Sequence, residues 1–359
     1  VFRRRIVMKA EDFDYSALPQ DAFELTHNDI HKHVDRNFAS QNYWKDALVR
    51  FLRNKGAIFG LIMIAIIIFF AAFGPSMTPY TYESQIIEQQ NLAPRIPGLE
   101  NLGIFDGSET MILGAVELEK NDYVSKGLDD VYYWFGSDTL GRDIFTRVWE
   151  GTRISLYIAI VAVIIDVLFG LSYGLISGYF GGMFDIIVQR IIEVIGAVPQ
   201  IPLWMALSAA IPAGISTIKM YFYMTLILSF INWTGMARVV RGKMLSLKNE
   251  DFVMAARLSG VSTWNIIWRH LVPGFMSYLI VSMTLGIPGS IVGETSMSYL
   301  GLGIKSPATS WGVLLQETNK LETIMFYNWK LIPMIFVFLA VLAFNFLGDG
   351  LRDAADPYK

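Results

Sequence analysis

Few residues in this 359-residue chain are of types that do chemistry. It has no cysteine, which removes thiol nucleophiles, disulfides and cysteine metal sites together. Of four histidines, His27 and His31 stand at i, i+4 with His33 close by, a spacing that a helical metal pair would use. No carboxylate pattern completes a ligand set, so they read as part of a solvated tail, and no metal is expected. A phosphate-binding loop is absent, because the pair Gly242-Lys243 is followed by Met244 and lacks the upstream glycine. Nucleotide chemistry would therefore belong to another chain.

The other candidates are ionisable residues inside long apolar runs, where a charge is costly and needs a partner or a wet face. Asp166, Arg190, Glu193 and Glu294 are of this kind. Arg190 and Glu193 are spaced to pair on one helix face. Glu294 follows Gly286-Ile287-Pro288-Gly289, where a helix can bend and bare its carbonyls. Two readings are open for Glu193 and Glu294: structural pairing, or polar lining of a translocation path. A hydrolase acting at membrane depth would need a nucleophile and a base there. The one histidine outside the tail, His270, lies in a polar segment, which argues against that class.

The elements that must position these residues are apolar helices. The chain is 53% hydrophobic and 17% charged, and its excess apolarity is concentrated in uninterrupted runs of the ~20 residues that cross a bilayer. These are 57–73, 154–176, 191–211, 220–237, 275–292 and 331–347. They predict an all-α polytopic membrane protein with six spans. The first run follows more than fifty residues and reads as a permanent span, not a cleaved leader.

Residues 1–56 hold ten Lys/Arg, and 238–269 hold six against two acids. By contrast, 74–153 hold thirteen acids against six Lys/Arg. The positive-inside rule then places both termini and the 178–190 and 238–272 loops in the cytoplasm. The expected layout is a cytoplasmic tail and surface helix (1–56), a first span (57–73), an extracytoplasmic loop or subdomain (74–153), a core (154–347) and a cytoplasmic tail (348–359). Short strands are compatible with the Pro- and Gly-rich outer segment. Internal repeats and a soluble signalling domain, features of secondary transporters and receptors, are not found.

The polar stretch 250–273 reads EDFVMAARLSGVSTWNIIWRHLVP. Glu250 and Asp251 suit a helix start. Ala255 and Ala256 allow close approach to the backbone, Gly260 breaks the helix and Ser262 can cap a second one. Trp264, Ile267, Trp268 and Leu271 fall at i, i+3, i+4 and i+7, one apolar face, and Pro273 marks its end. A helix lying in the lipid interface and a docking element for another protein both fit. Upstream, FGSDTLGRD (135–143) predicts a glycine turn in which Ser137 or Asp138 caps a surface helix bearing Ile144, Phe145, Val148 and Trp149. The paired glycines of Gly178-Tyr179-Phe180-Gly181-Gly182 predict a tight reversal.

The spacing Ala255-Ala256-x3-Gly260-x12-Pro273 resembles the "EAA" motif of prokaryotic ATP-binding cassette importer permeases. Met254, His270 and Val272 depart from the general form, and in doing so resemble the dipeptide and oligopeptide branch, with Phe252-Val253, Arg257, Ser262, Ile266-Ile267 and Arg269-His270 in register. FGSDTLGRD is similar to that branch's FGTDxxGRD, with Ser137 for Thr. Gly178–Asp185, Ser298–Gly303, Ser310-Trp311-Gly312 and Gly348–Pro357 resemble its GYxGGxxD, SYLGLG, SWG and GDGLRDALDP segments. The resemblance covers roughly 44–359, and the chain is most similar to the C-type subunit. Residues 1–40 and about 76–130 lie outside it.

The resemblance implies a type I importer permease of six transmembrane helices, with an extracytoplasmic insertion between the first two. It implies a pore-forming subunit in a bacterial cytoplasmic membrane that moves oligopeptides or dipeptides inward and has no catalytic residue of its own. ATPase coupling would fall to Glu250, Phe252, Ala255, Ala256, Arg257, Gly260, Val261 and Ser262. The implied partners are a homologous second permease, two ATPase subunits carrying ATP and magnesium, an extracytoplasmic peptide-binding protein and membrane lipid. No nucleic acid and no cofactor on this chain are expected.

Overall fold

A computed structural model describes residues 43–100, 105–113, 116–212 and 214–355. The described residues divide between Leu48 and Val49 into two units, and apart from one helix that crosses this boundary the description below concerns the second. His27, His31 and His33 lie outside the described residues.

The apolar runs form helices, as their length and composition require. Tyr43–Arg53 (α1) is followed by α2, Lys55–Phe73. The break between them is Asn54, whose side chain accepts the Ala57 N–H at 3.1 Å as an N-cap and donates to Asp353 at 3.2 Å. A long helix, α4 (Ile144–Phe180), turns into α5 (Gly182–Ala197) and α6 (Gln200–Ala209). Helix α7 (Thr217–Leu247) precedes the short α8 (Asp251–Leu258). A further run, α9 (Thr263–Ile266), passes through a wide turn into α10 (Val272–Tyr299). Two small helices, α11 (Trp311–Gln316) and α12 (Leu321–Phe326), lead to α13 (Ile332–Ala355).

Among the described residues, four stretches are long and apolar enough to cross a membrane: Lys55–Ser76, Ile144–Phe180, Thr263–Tyr299 and Asn328–Ala355. A fifth results if α5 and α6, bent by 92° at their junction, make one span. The expected third run is therefore a broken one. Pro199 supplies no N–H and disfavours helix at the residue before it, and Val198 is accordingly extended at φ −85°, ψ 129°. The expected fourth run lies in α7, whose tyrosine, threonine and asparagine content keeps it outside that set although it is 31 residues long. Pro288 sits within α10 without ending it, so the bend anticipated before Glu294 does not become a break.

Helices α4 and α7 pack along a seam that the sequence carried openly but that was not singled out. Gly170, Gly174 and Gly178 recur every four residues, on one face. A Cβ on Gly174 would lie 2.7 Å from the Ala237 carbonyl oxygen, and one on Gly178 would lie 2.6 Å from Met244 Cβ. Without side chains here the two backbones come close enough for dispersion contacts that lipid cannot supply, which is how small residues hold membrane helices together.

The described residues of 77–143 form a small subdomain around buried Leu92, Tyr123 and Tyr133. It contains an antiparallel hairpin, β1 (Ser108–Leu113) with β2 (Val116–Asn121), followed by α3 (Asp122–Lys126). The Tyr123 hydroxyl donates to Ala93 O at 2.8 Å. Arg95 binds Glu100 at 2.7 Å and the Asp129 carbonyl at 2.9 Å. Burial pushes the Tyr123 and Tyr133 phenols above their ordinary range.

Candidate functional site

The 250–273 stretch folds as a short helix, a corner and a second helix. Glu250 takes the extended N-cap conformation, and its carbonyl accepts from Val253 and Met254 N–H. The corner is a Schellman motif: Gly260 N–H bonds the Arg257 carbonyl at 3.0 Å and Val261 N–H the Ala256 carbonyl at 3.1 Å. Gly260 has φ +74°, and a Cβ there would meet nothing within 4 Å. Glycine is thus required by the backbone angle and not by crowding from this chain.

The two alanines divide their roles. Ala256 is buried with Val253 against Val240, Met244, Ile266 and Ile267, and Val261 packs on the same cluster. Ala255 faces outward, flanked by exposed Phe252, Met254, Arg257 and Leu258. Leu258 is 89% exposed, an extreme value for a leucine, so α8 offers an apolar outward surface that nothing among the described residues covers.

The second helix corrects the expected apolar face. Ile267 and Leu271 are buried as anticipated, but Trp264 and Trp268 are 56% and 52% exposed. The inner side is filled instead by Ile266, Ile267, Leu271 and Val272. Their phase is set by a π-type turn over Ile267–Leu271, in which Val272 N–H reaches back to the Ile267 carbonyl. Such a turn holds more residues than an α turn, so it shifts which side chains point inward. It also corrects the expected stop: Pro273 enters near the start of α10, where no N–H is needed, and the helix runs on. Ser262 occupies the N-cap position of α9 without a side-chain bond.

Polar contacts fasten this element to the turn after α4. Arg257 lies over the Tyr179 ring with its Cζ 5.4 Å from the centroid, within the ~6 Å reach of a cation–π contact. Lys248 Nζ donates to the Gly178 carbonyl at 3.1 Å. Arg241 holds Asp185 with two bonds of 2.6 Å each, and Ser177 donates to the same carboxylate. The GYFGG reversal, the end of α7 and α8 are therefore one braced platform.

Of the candidate pathway residues, Glu193 pairs with Arg190 at 2.6 Å on the exposed side of α5, with the two side chains 60% and 75% exposed. Glu294 is fully buried and accepts from Ser155 at 2.9 Å and Ser298 at 2.8 Å. Ser155 in turn accepts the Trp311 N–H at 3.3 Å, and Thr152 accepts the Trp311 indole at 3.1 Å. Glu294 thus ties α4, α10 and the Ser310-Trp311-Gly312 segment together. The structure does not bring Glu193 and Glu294 into one group.

The FGSDTLGRD segment also departs from expectation. The cap of α4 is Asp143, accepting from Phe145 and Thr146 N–H at 3.3 and 3.0 Å, and the helix bearing Ile144–Trp149 is the start of the long span. Burial raises the Asp143 carboxyl pKa against the pull of these hydrogen bonds. Ser137 bridges Leu92 N–H and the Gln89 carbonyl. Asp138 binds Arg142 at 2.6 Å and also Arg147, while Glu317 faces Arg142 at 3.6 Å and Lys330 at 3.3 Å. This buried network was not legible beforehand, since Glu317 and Lys330 lie far along the chain. Among the described residues, no cluster of three or more His, Asp or Glu is arranged to hold a metal ion.

A multi-pass helical membrane protein with a braced loop on one end and a subdomain on the other defines a class, and comparison with known proteins narrows it. Residues 170–358 match the family of binding-protein-dependent transport system inner membrane components. Residues 42–94 match the N-terminal transmembrane domain of oligopeptide transport permease C. The oligopeptide transport system permease protein OppC of Bacillus subtilis is 37% identical over 319 residues, 89% of this chain and 90% of that protein. The dipeptide transport system permease protein DppC of the same organism is 35% identical over 345 residues, 96% and 94% of the two chains. OppC of Salmonella typhimurium is 37% identical over 319 residues, 88% and 92%. The chain belongs to the binding-protein-dependent transport system inner membrane component family, and is a multi-pass inner-membrane permease of the type I kind.

Proposed function

We propose that this chain is the C-type permease subunit of an ATP-binding cassette importer that carries oligopeptides or dipeptides into the cell. The observation that carries the proposal is the similarity to oligopeptide and dipeptide permeases over about nine-tenths of both chains. The outward apolar surface of α8, held by the glycine corner, supports a docking role for 250–262. In this reading both termini and the platform are cytoplasmic, and the 77–143 subdomain receives a peptide-binding protein outside.

The mechanism follows from rigidity. Two ATPase subunits holding ATP and magnesium close on nucleotide, and α8, seated in a groove on one of them, moves with it. Phe252, Ala255 and Leu258 supply contact, while Glu250, Arg257 and Val261 fix the frame. Ala256 and Gly260 brace the element inward, and Ser262 starts the following helix. Because α8 is packed on α7 and α10 through one core, its displacement is passed to the spans as a body. A second permease completes the path, and alternation between inward- and outward-open states requires that each ligand favour one state. Exposed Trp264 and Trp268 suit the lipid interface beside the docking surface.

The test is Ala255→Trp. Ala255 lies on an outward helical face, so the indole strains no backbone and displaces no core. The variant is expected to insert normally but to lose the co-purifying ATPases and peptide uptake. Retained ATPases together with normal uptake would remove α8 from the coupling role.

A further inference from the structure

A cavity of about 560 Å³ lies among α4, α6, α7 and α10, within the ~300–1,000 Å³ of small-ligand sites. Among the described residues, its lining contains one ionisable side chain, Asp166, and no Lys, Arg or His. Asp166 is 7% exposed, and its Oδ1 has no hydrogen-bond partner among the described residues. Asn232, in the same wall, hydrogen-bonds the Asp166 side chain. Two more lining residues, Ser290 (2% exposed) and Trp204 (6% exposed), are buried, and the Ser290 hydroxyl and the Trp204 indole N–H have no partner among the described residues. Three unmet polar atoms around one chamber are not accounted for by packing, since buried polar groups are ordinarily paired.

The opposite wall is made to be approached. Gly286, Gly289, Ser290 and Gly293 fall at i, i+3, i+4 and i+7 of α10, one face, and all four line the cavity. A Cβ on Gly289 would meet nothing within 4 Å, so that backbone is bare to the chamber. A carboxylate in a half-open, largely apolar pocket attracts a cation more strongly than it would in bulk water. A hydroxyl and an indole N–H donate to carbonyl oxygens. The set therefore suits a ligand with a cationic head followed by amide carbonyls.

We propose that this cavity is a station for the amino terminus of a transported peptide, with Asp166 receiving the α-ammonium and Ser290 and Trp204 meeting the first carbonyls. The proposal rests on the peptide-permease reading and adds to it a recognition site in the spans. Glu294 is no part of the site, being satisfied by its serines.

The cysteine-free sequence permits a direct test in the assembled transporter. Gly289→Cys places a single thiol on this chain, facing the chamber, to be modified by a cationic or an anionic methanethiosulfonate reagent of similar size. The cationic reagent is expected to react about tenfold faster, a ratio worth ~1.4 kcal/mol. Asp166→Asn should level the two rates and Asp166→Glu should restore the difference. Trialanine should slow modification, and N-acetyl-trialanine should not. Equal rates for the two reagents, no reaction with either, or equal protection by both peptides would overturn the site while leaving peptide transport standing. Loss of the second permease from Asp166→Asn preparations would also overturn it, making Asp166 an assembly contact. Failure of the unmodified transporter to take up trialanine or longer peptides would instead overturn the peptide-permease reading, and the site with it.

Discussion

Arg241 grips Asp185 through both Nε and a terminal guanidinium nitrogen, each at 2.6 Å, and so locks the cytoplasm-facing end of α7, in the proposed orientation, to the first turn of α5. The fork geometry fixes direction as well as distance, which a single lysine contact would not. The side chains are 30% and 16% exposed, so solvent screens part of the attraction. A double-mutant cycle with Asp185→Asn and Arg241→Gln is expected to give a coupling of ~1–2 kcal/mol in thermal unfolding of the detergent-purified protein. Additive effects of the two changes would show that the brace is not a brace.

The α4–α7 seam depends on the absence of side chains at 170, 174 and 178. Gly174→Leu is expected to abolish folded, extractable protein, because its side chain would have to occupy space held by the Ala237 carbonyl and Val240. Gly196→Ala, where a Cβ meets nothing within 4 Å, should leave yield and melting temperature unchanged. Size-exclusion profiles of the two variants make the comparison. Equal behaviour would dismiss the close approach.

At the corner, the cost of replacing Gly260 should be one of backbone angle. Gly260→Ala is expected to lower stability by ~1–2 kcal/mol, and Gly260→Asn by less, since asparagine tolerates the left-handed region. Melting temperatures in detergent separate these outcomes, and Ala outperforming Asn would contradict the assignment.

Asp138 is the shared anion for two buried guanidinium groups. Asp138→Asn leaves Arg147 without its carboxylate and Arg142 with only the longer contact to Glu317, and breaking such a buried set is worth ~3–5 kcal/mol. The variant should lose the outer subdomain's resistance to protease before the helical core unfolds. Digestion indistinguishable from the parent would mean the network is dispensable.

Sidedness is open to a labelling test. Asn121 is unsuited to it, because its side chain caps α3 by accepting from Tyr123 and Val124 N–H. Val124 is 71% exposed, and Val124→Cys is expected to react with an impermeant thiol reagent in intact cells. Reaction only after lysis would invert the proposed topology.

Composition and periodicity were enough to establish a helical membrane protein, the runs that become its helices, the helix-corner-helix at 250–273 and the Arg190–Glu193 pair. These are local properties: hydropathy, turn chemistry and i, i+3 spacing act over a few residues, and neighbours in sequence are neighbours in space. The tertiary structure decided the rest. Which way Trp264 and Trp268 face depends on a π turn and on what fills the core behind it. Whether Ala255 or Ala256 is presented depends on where α7 and α10 lie. The partners of Glu294 and Arg142 are set by distant elements: Ser155 lies 139 residues from Glu294, and Glu317 lies far along the chain from Arg142. No single-sequence period encodes such pairings, because they arise only when helices distant along the chain pack against each other and leave each buried charge either matched or facing a cavity.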